Sequence, residues 1–423
     1  MPNRILIISH TFPPGPGIGG RRWAKFAKYL AAKGHSVSVL AAENIYDSTS
    51  AWTNDVKGFT VEYLPYKYPK VLTLPVRSFT DKIMYRLSLH YVKLADKGNF
   101  YDKSIFWKGQ IGEKVKEYIT SGKIDTVIVT GAPFRLVYYV TALKSAFKSV
   151  TFISDFRDLW TTDTEVSAFA GLSEARRQLE KEFEKRAVRN SDHIFTVAET
   201  MRSYFASLSE KNNCVLIPNG YDPQDLPVMQ AREQPKSSVN FLFAGTVYNN
   251  LDYILLPFFD GLAQLKKQQP EKYRLINFEF YGKFPDNYKR YIYDRDIADA
   301  VKINGEAPYD VVTDKLRQAH YGVLFLNDLY NYSFSTKFCE YVGQKKKILV
   351  VSNKGATVDF VVQNDLGLHI DPKNAQSGIL RAIETVQSNN FMIGSNLHFD
   401  DSFFSIPGIV NTLENYLNKN MTI

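Results

Sequence analysis

The sequence predicts an α/β protein built from two doubly wound parallel-sheet domains. The chain has 423 residues, whereas a single domain usually holds about 100–200 residues. Short apolar strands alternate with helical segments, which is typical of parallel βαβ units. This rhythm stops at residues 223–238, which are rich in Pro, Gln and charge. We therefore predict domains at 1–222 and 239–403, joined by a linker at 223–238.

The first half shows the alternation that a parallel sheet requires. A buried strand predicted at 4–9 is followed by a Pro/Gly loop, a helical segment at 21–33 and a second strand at 36–41. The crossover of such a βαβ unit is right-handed in nearly all proteins. A long charged helix is predicted at 173–190. The remaining strands are predicted at 126–130, 151–154, 194–197 and 215–218.

The second half repeats the alternation after the linker. Strands are predicted at 240–244, 278–281, 301–303, 321–326, 347–351 and 367–370. The helices include 309–319, 335–343 and 406–417. Two α/β domains of similar size, joined by one linker, predict a cleft between them. Small ligands favour such clefts, at the carboxyl ends of the strands.

The composition is that of an ordinary globular protein in a reducing compartment. Hydrophobic residues make up 44% of the chain and charged residues 23%, which suffices for globular cores. Cys214 and Cys339 lie far apart and in no metal-binding spacing, so a disulfide framework and a zinc site are disfavoured. The first apolar run is too short for a signal peptide, and no apolar stretch reaches the roughly 18–20 residues that span a bilayer. We expect a cytoplasmic protein.

The net charge of +8 has a local contribution. Residues 67–103 contain eight Lys and Arg against three Asp, mixed with aromatic residues. Such a surface attracts anions, either substrate phosphates or lipid headgroups, and a solvated basic face explains the pattern equally well. We keep an anionic membrane surface, at the inner membrane face, as a candidate partner. No helix-turn-helix, RNA-binding or zinc-finger signature is present, so we expect no nucleic-acid partner.

A Gly-rich loop at residues 11–20 follows the first strand. Glycines let the backbone approach a ligand closely, and the helix that follows offers free N–H groups and a positive dipole end. Phosphate or a sugar hydroxyl suits this site, with Arg21 or Arg22 adding charge. The loop has neither G-x-G-x-x-G nor Gly-Lys-Ser/Thr, so NAD and a P-loop are disfavoured. A tight structural turn without a ligand remains the alternative.

Charged residues also follow the strand at 151–154 directly. Asp155 and Asp158 bracket Arg157, an arrangement that suits a cleft better than a solvated helix face. There the guanidinium keeps the carboxylates ionised, and each carboxylate can accept a hydroxyl hydrogen bond. The alternative is a structural ion-pair network at a domain edge.

The predicted helix 335–343 places two charges side by side. Phe338, Tyr341 and Val342 share an apolar face, while Lys337 lies in the first turn and Glu340 one turn further on. A carboxylate here can bind two vicinal hydroxyls of a ribose, and Lys337 can meet a diphosphate as a point charge. An exposed i, i+3 salt bridge, which contributes little stability, is the alternative.

In this order and spacing, these segments resemble glycosyltransferase family 4, whose members are retaining enzymes of the GT-B fold. The resemblance covers most of the chain and is weak at about 45–125. It rests on the first strand with its Gly-rich loop and on Asp155-Phe156-Arg157-Asp158-Leu159-Trp160, Ile217-Pro218-Asn219-Gly220-Tyr221-Asp222, Phe243-Ala244-Gly245-Thr246, Gly305 before the helix end at Leu316, and residues 335–343.

The resemblance implies two Rossmann-like domains that face each other across a cleft, with the C-terminal helix at 404–423 packed back on the first domain. It implies a nucleotide diphosphate sugar donor, such as a UDP- or GDP-sugar, on the C-terminal domain. The acceptor, a glycan or a lipid-linked molecule, would lie on the N-terminal domain. Transfer of a hexose-type sugar would retain its anomeric configuration, with no metal and no cofactor.

The resemblance also assigns roles to individual residues. Glu340 would bind the donor ribose, and Lys337 would stabilise the diphosphate that leaves. Asp155 stands about where many members carry a histidine near the reacting centre. The other donor-side residues would be Gly17, Gly19, Gly20, Gly245, Thr246 and Thr336. The catalytic candidates are Asp155, Arg157 and Asp158, and the acceptor-side candidates are Arg21, Arg22 and Trp160.

Two departures from the family pattern concern the donor. The first acid of the family's Glu-x₇-Glu pattern falls on Tyr332, which is not acidic. The usual Arg and Lys after the first C-terminal strand are missing from 246–252. Arg157, Lys337 or Lys283 would have to replace them at the diphosphate, and Lys337 is the preferred candidate.

Three functions are consistent with these features of the sequence. The first is a retaining glycosyltransferase in surface polysaccharide or glycolipid biosynthesis. The second is a nucleotide-sugar 2-epimerase on the same fold, since fold does not fix function. The third is a non-catalytic sugar-binding protein that has lost its donor clamp. The sequence favours the first.

Overall fold

A computed structural model describes residues 2–162, 168–226, 237–328, 333–388 and 399–420, with side chains up to residue 418. The chain divides into two compact units. The first unit comprises Met1–Ile217 together with Val410–Ile423, and the second comprises Pro218–Ile409. Most of the predicted linker at 223–238 lies outside the described residues.

The first unit contains a seven-stranded sheet in which every pair of neighbours is parallel. Its order is β3-β2-β1-β4-β5-β6-β7. The strands are β1 (Arg4–Ile8), β2 (Ser36–Ala42), β3 (Thr60–Leu64), β4 (Thr126–Gly131), β5 (Thr151–Phe156), β6 (His193–Thr196) and β7 (Cys214–Leu216). The helices are α1 (Arg21–Ala32), α2 (Phe79–Ala95), α3 (Lys108–Thr120), α4 (Phe134–Thr141), α5 (Glu174–Asn190) and α6 (Glu199–Ser209).

The second unit contains a six-stranded sheet, also parallel throughout, in the order β10-β9-β8-β11-β12-β13. The strands are β8 (Val239–Ala244), β9 (Ile276–Tyr281), β10 (Val301–Gly305), β11 (Tyr321–Phe325), β12 (Lys347–Val351) and β13 (Gly367–Ile370). The helices are α7 (Asp252–Gln268), α8 (Pro270–Tyr273), α9 (Asp286–Asp294), α10 (Tyr309–Gln318), α11 (Thr336–Gly343), α12 (Ala356–Gln363) and α13 (Ala375–Gln387). A last helix, α14, spans Ile406–Asn420.

Apolar side chains cover both faces of these sheets, which is why the strands read as continuous apolar runs. In β1, every residue from Ile5 to Ile8 is fully buried. The second unit uses aromatic residues for the same purpose: the Phe241 and Phe278 rings stack with centroids 5.6 Å apart. The large number of Phe residues therefore serves core packing.

Each sheet has one point where the chain reverses its direction of travel across the strands. In the first sheet this switch point lies between β1 and β4, and in the second it lies between β8 and β11. The connections that leave these strand pairs run to opposite faces of the sheet, so a crevice opens at the carboxyl ends of the strands. Ligand sites are expected at these two places.

The region of weak family resemblance, residues 45–125, contains β3, α2 and α3. The sequence did not predict β3, because four of its five residues are only partly buried or exposed and give no apolar run. Helix α2 begins with a capping box: Ser78 Oγ accepts from Asp81 N at 3.0 Å, and Asp81 Oδ2 accepts from Ser78 N at 2.9 Å. These paired caps satisfy backbone groups that a helix start leaves open.

The end of the chain packs on the first sheet's unit. Tyr416 Oη and His193 Nδ1 lie 2.7 Å apart, and Lys33 Nζ donates to Glu414 Oε2 at 2.7 Å. These contacts attach residues 410–418 to the first unit. In the described part of the chain, no helix is both long enough and apolar enough to cross a bilayer.

Candidate functional site

The crevice of the second sheet is lined by backbone that only glycine can provide. Gly245 follows β8 with φ of 135°, and Gly282 follows β9 with φ of 120°. A Cβ on Gly282 would lie 2.3 Å from the carbonyl oxygen of Gly245, so the two loops could not pack as they do with larger residues. The predicted donor residue Thr246 is half-buried in the same loop.

Lys337 lies against this glycine backbone. A Cβ on Gly245 would meet Lys337 Cε at 2.2 Å and Nζ at 2.9 Å, so Gly245 leaves the space that the lysine occupies. The ammonium also lies 5.1 Å from the centroid of the Phe243 ring, which is a cation–π distance. The structure therefore brings together two of the predicted donor residues, Gly245 and Lys337.

In the described part of the chain, no acidic side chain forms an ion pair with the ammonium of Lys337. The ammonium also makes no hydrogen bond to a described residue. Burial lowers the pKa of Lys337, and the nearby Glu340 carboxylate opposes that shift. A half-buried cation of this kind is stabilised when an anion binds beside it.

Helix α11 sets the positions of both charged residues. Ser335 caps the helix, with its side chain accepting from Phe338 N at 3.2 Å, and Thr336 is the first helical residue. One turn on, Glu340 Oε1 accepts from the Tyr309 hydroxyl at 3.1 Å. The helix start and Lys337 together form a positive end suited to an anion, with a carboxylate held beside it.

Lys283, the other lysine considered for the diphosphate, is more exposed than Lys337. Lys283 is exposed in the loop after β9, and Val247 N donates to its carbonyl oxygen at 2.9 Å. Tyr332, the position of the family's first acid, lies outside the described residues.

In the first unit, Arg157 connects the loops that follow β1 and β4. Its Nη1 donates to the carbonyl oxygen of Gly19 at 2.9 Å, and its Nε donates to that of Gly131 at 3.4 Å. Gly17 is exposed with φ of 101°, and Gly20 packs so closely that its Cβ would lie 3.0 Å from Phe12 Cα. The Gly-rich loop thus lies at the first switch point, as its position after β1 predicts.

Asp155 lies at the centre of a buried hydrogen-bond network. Its carboxylate is fully buried. Arg22 Nη2 donates to Oδ1 at 3.1 Å, while Trp23 Nε1 and Thr130 Oγ1 donate to Oδ2 at 2.8 and 2.9 Å. Arg22 also donates to the carbonyl oxygen of Ile217 at 2.8 Å. This geometry favours the structural alternative for Asp155, as an anchor of the start of α1, and its catalytic role stays a prediction.

The remaining candidates of the first unit are placed as follows. Arg21 is buried, with its guanidinium carbon 5.4 Å from the centroid of the Trp52 ring. Trp160 is 1% exposed, and its Nε1 donates to Glu180 Oε2 at 2.9 Å. Its indole presents almost no surface to an acceptor in this conformation. Asp158 is exposed.

A small, partly open pocket lies at the carboxyl ends of β1 and β2, with a cavity volume of about 30 Å³. Its polar lining includes His10, Glu43, Asn44, Tyr66 and Lys103. Among the described residues His10 Nε2 has no hydrogen-bond partner although it is buried, and its ring lies 4.8 Å from that of Trp107. Burial, with a contribution from Lys103, lowers the pKa of His10 to about 3, so the imidazole is neutral near pH 7.

The sequence reasoning missed His10. A signal was available, because His10 directly follows an apolar strand, as Asp155 lies at the end of another. A neutral imidazole nitrogen without a partner can form a hydrogen bond with a ligand hydroxyl. In the described part of the chain, no three His, Cys, Asp or Glu side chains are grouped as metal ligands.

Comparison with known proteins supports the glycosyltransferase interpretation. Residues 19–220 match the family described as the glycosyl transferase 4-like domain. No curated protein matches the sequence significantly.

Solved structures share the architecture at low sequence identity. Sucrose-phosphate synthase from Thermosynechococcus elongatus is similar over 99% of each chain, at 12% identity and a TM-score of 0.66. WaaG, a glycosyltransferase involved in lipopolysaccharide biosynthesis, is similar over 90% of each chain, at 13% identity and a TM-score of 0.52. UDP-GlcNAc 2-epimerase from Methanocaldococcus jannaschii is similar over 98% of this chain and 99% of its own, at 10% identity and a TM-score of 0.53. These similarities confirm the predicted fold class.

Proposed function

We propose that this chain, whose residues 19–220 belong to the glycosyl transferase 4-like family, is a retaining glycosyltransferase. It moves a hexose-type sugar from a nucleotide diphosphate sugar to a glycan or a lipid-linked acceptor. The product belongs to surface polysaccharide or glycolipid biosynthesis. The observation that carries the proposal is the half-buried Lys337, whose ammonium lies against Gly245 at the start of α11.

The second unit binds the donor in this proposal. The diphosphate lies at the start of α11, where Lys337, the backbone of Gly245 and Thr246, and Thr336 meet it. Glu340, held by the Tyr309 hydroxyl, accepts hydrogen bonds from the two ribose hydroxyls. This arrangement accommodates either UDP or GDP, since the residues named contact the parts that both share.

Lys337 also supports the chemical step. As the bond between sugar and diphosphate breaks, negative charge accumulates on the departing diphosphate. A cation fixed beside that charge stabilises the transition state more than the ground state. With Lys337 and the helix dipole in this role, the reaction needs no metal. We propose metal-independent transfer with retention, in line with the family resemblance.

The first unit binds the acceptor. We place an acceptor hydroxyl at His10, because its neutral imidazole lines a pocket and Nε2 has no hydrogen-bond partner among the described residues. Arg157 keeps the Gly-rich loop in place beside β4 through the carbonyls of Gly19 and Gly131. Arg157 therefore acts as a positioning residue for this site.

The protein acts in the cytoplasm at the inner face of the membrane in this proposal. Cys214 and Cys339 are buried and no disulfide joins them, which agrees with a reducing compartment. A lipid-linked acceptor would be met at the membrane surface. No nucleic acid takes part.

The decisive experiment measures UDP and GDP binding by calorimetry. Lys337→Ala removes the ammonium and is expected to weaken nucleotide diphosphate binding by about 10–100-fold, because a charge-assisted hydrogen bond is lost. Lys283→Ala tests the other candidate cation of this unit. Lys267→Ala, at the far end of α7 from the strand ends, is the matched control and should bind like the wild type.

Two results would contradict the donor site. One is equal binding by the wild type and the Lys337→Ala variant, which would move the diphosphate elsewhere. The other is no binding of either nucleotide by folded wild-type protein at millimolar concentration, which would favour the non-catalytic alternative. Release of nucleotide only when acceptors are supplied supports transfer, whereas formation of a sugar isomer without an acceptor would indicate a 2-epimerase.

A further inference from the structure

Helix α2 has two apolar faces, of which the protein covers one. Val92 is fully buried and packs in a cluster with Tyr68 and Phe100, and Leu89 packs against the same cluster. This inner face anchors the helix to the first unit. The capping box at Ser78 and Asp81 fixes where the helix begins. The helix is therefore a firmly placed element.

The other face exposes large apolar side chains. Phe79 is 76% exposed, Leu87 60% and Leu94 72%. Ile83, Met84 and Tyr91 are exposed on the same side. At 3.6 residues per turn, these six positions cover an arc of about 140° around the helix. An apolar patch of this kind marks a surface that something covers.

Cations line one edge of this apolar face. Lys82, Arg86 and Lys93 are exposed and lie on α2 between its buried and exposed apolar faces, by the same helical geometry. Among the described residues, none of the eight Lys and Arg at 67–103 forms an ion pair. The three acids of that stretch are engaged elsewhere. Asp81 caps α2, Asp96 pairs with Arg135 at 2.8 Å, and Asp102 is buried.

We infer that this face of α2 docks on an anionic lipid bilayer. The helix would lie in the plane of the interface, with Phe79, Leu87 and Leu94 among the acyl chains and the lysines and arginine at the lipid phosphates. A hydrophobic stripe bordered by Lys and Arg has the chemistry of an interfacial helix. A protein partner would have to offer many carboxylates around an apolar groove, whereas anionic lipid offers both features everywhere.

This docking surface adds detail to the proposed location at the membrane. It rests on the proposed function only for the idea that the acceptor lies at the membrane. The docking surface depends on the exposed side chains and charges of α2, whereas donor binding depends on Lys337. The two can fail separately. Loss of nucleotide binding with intact vesicle binding would overturn the donor site alone.

Sedimentation with vesicles tests the surface on the full chain. One set of vesicles is phosphatidylcholine, and the other is a mixture of phosphatidylcholine and phosphatidylglycerol at about three to one. The wild type is expected to bind the mixed vesicles more tightly, and added salt should weaken that binding. Leu87→Asp with Leu94→Asp should abolish binding to both.

Two matched controls separate these effects from unfolding and general charge. Val362→Asp with Tyr293→Asp changes exposed apolar residues of the second unit and should leave vesicle binding unchanged. Lys82→Glu with Arg86→Glu should weaken binding to mixed vesicles at least twenty-five-fold, from about fivefold for each cation removed. Lys148→Glu with Lys267→Glu, at exposed sites outside α2, should weaken it far less. Calorimetry with UDP on each variant reports whether the second unit is intact.

Three outcomes would overturn the inference. The first is wild-type protein that stays in solution with both kinds of vesicle. The second is an α2 apolar variant that binds as tightly as the wild type. The third is a wild-type dimer, seen by light scattering, that Leu87→Asp with Leu94→Asp converts to a monomer, because a second copy would then be the occupant.

Discussion

At the scale of single residues, similar charged groups have different environments. Asp155 and Asp158 stand three positions apart and both follow β5, yet one is fully buried and the other is exposed. Asp155 receives three side-chain hydrogen bonds within 3.1 Å. Replacing a buried, paired carboxylate therefore costs more stability than replacing an exposed one, because the buried cation beside it loses its partner.

Replacing Asp155 distinguishes a structural from a catalytic role. Asp155→Asn is expected to lower the free energy of unfolding by about 3 kcal/mol, because the charge of Arg22 loses its buried partner. Asp158→Asn is expected to change it by less than about 0.5 kcal/mol. Urea denaturation checks both. Full stability of the Asp155→Asn variant together with lost transferase activity would instead support the catalytic interpretation.

Glu184 gives the first unit a pH-dependent stability. It is 1% exposed, and burial raises its pKa to about 7. Its Oε2 accepts from Thr161 Oγ1 at 2.5 Å and from Tyr204 Oη at 2.8 Å. In the unfolded chain the pKa of a Glu is about 4.3. At pH values between the unfolded and the native pKa, the native state therefore binds more protons than the unfolded chain. This contribution to stability is complete below about pH 4 and is lost as the pH rises to about 7.

Glu184→Gln should remove that pH dependence. Between pH 5 and pH 8, the unfolding free energy of the wild type should fall by on the order of 2 kcal/mol relative to that of the variant. Urea denaturation at the two pH values measures the difference. Glu182→Gln, on the exposed side of the same helix, is the control. An identical pH profile for the wild type and the Glu184→Gln variant would show that Glu184 titrates normally.

At the scale of elements, α11 and α2 show how a helix carries function through its ends and faces. The sequence predicted α11 almost residue for residue, because its cap and apolar face are local features. The sequence did not resolve α2 as a helix. Its apolar residues point in two directions, so the periodicity that indicates one buried face is blurred.

The cap of α11 should affect both stability and donor binding. Ser335→Ala removes the acceptor for Phe338 N and is expected to cost about 1 kcal/mol of stability. It should also weaken UDP binding, because the first turn that carries Lys337 frays. Ser335→Thr keeps a hydroxyl cap and should largely restore both. Denaturation and calorimetry measure the two effects, and unchanged UDP binding by Ser335→Ala would separate the cap from the donor site.

At the scale of the whole molecule, two parallel sheets each have one switch point. The donor residues gather at the switch point of the second unit, and the Gly-rich loop lies at that of the first. Each unit has its own core and can respond to its own ligand. A nucleotide at 100 times its Kd should stabilise the unit that binds it by about 2.7 kcal/mol.

Hydrogen exchange locates that stabilisation along the chain. UDP or GDP is expected to slow amide exchange most strongly at β8, the loop at 245–247 and α11. The Lys337→Ala variant at the same nucleotide concentration should show much less protection, and protein without nucleotide is the baseline. Protection confined to residues 2–162 would assign the nucleotide to the first unit and contradict the donor site.

From the amino-acid sequence alone we predicted the α/β class, the two runs of strands, and the loops and helix that carry the candidate groups. These features are local, because periodicity, glycines and caps act over a few residues. The folded chain was needed to show that Asp155 is buried, that Lys337 lies against Gly245, and that His10 lines a pocket. Each of these depends on residues distant in the chain, and the burial of a polar group is set by such partners rather than by its neighbours in sequence.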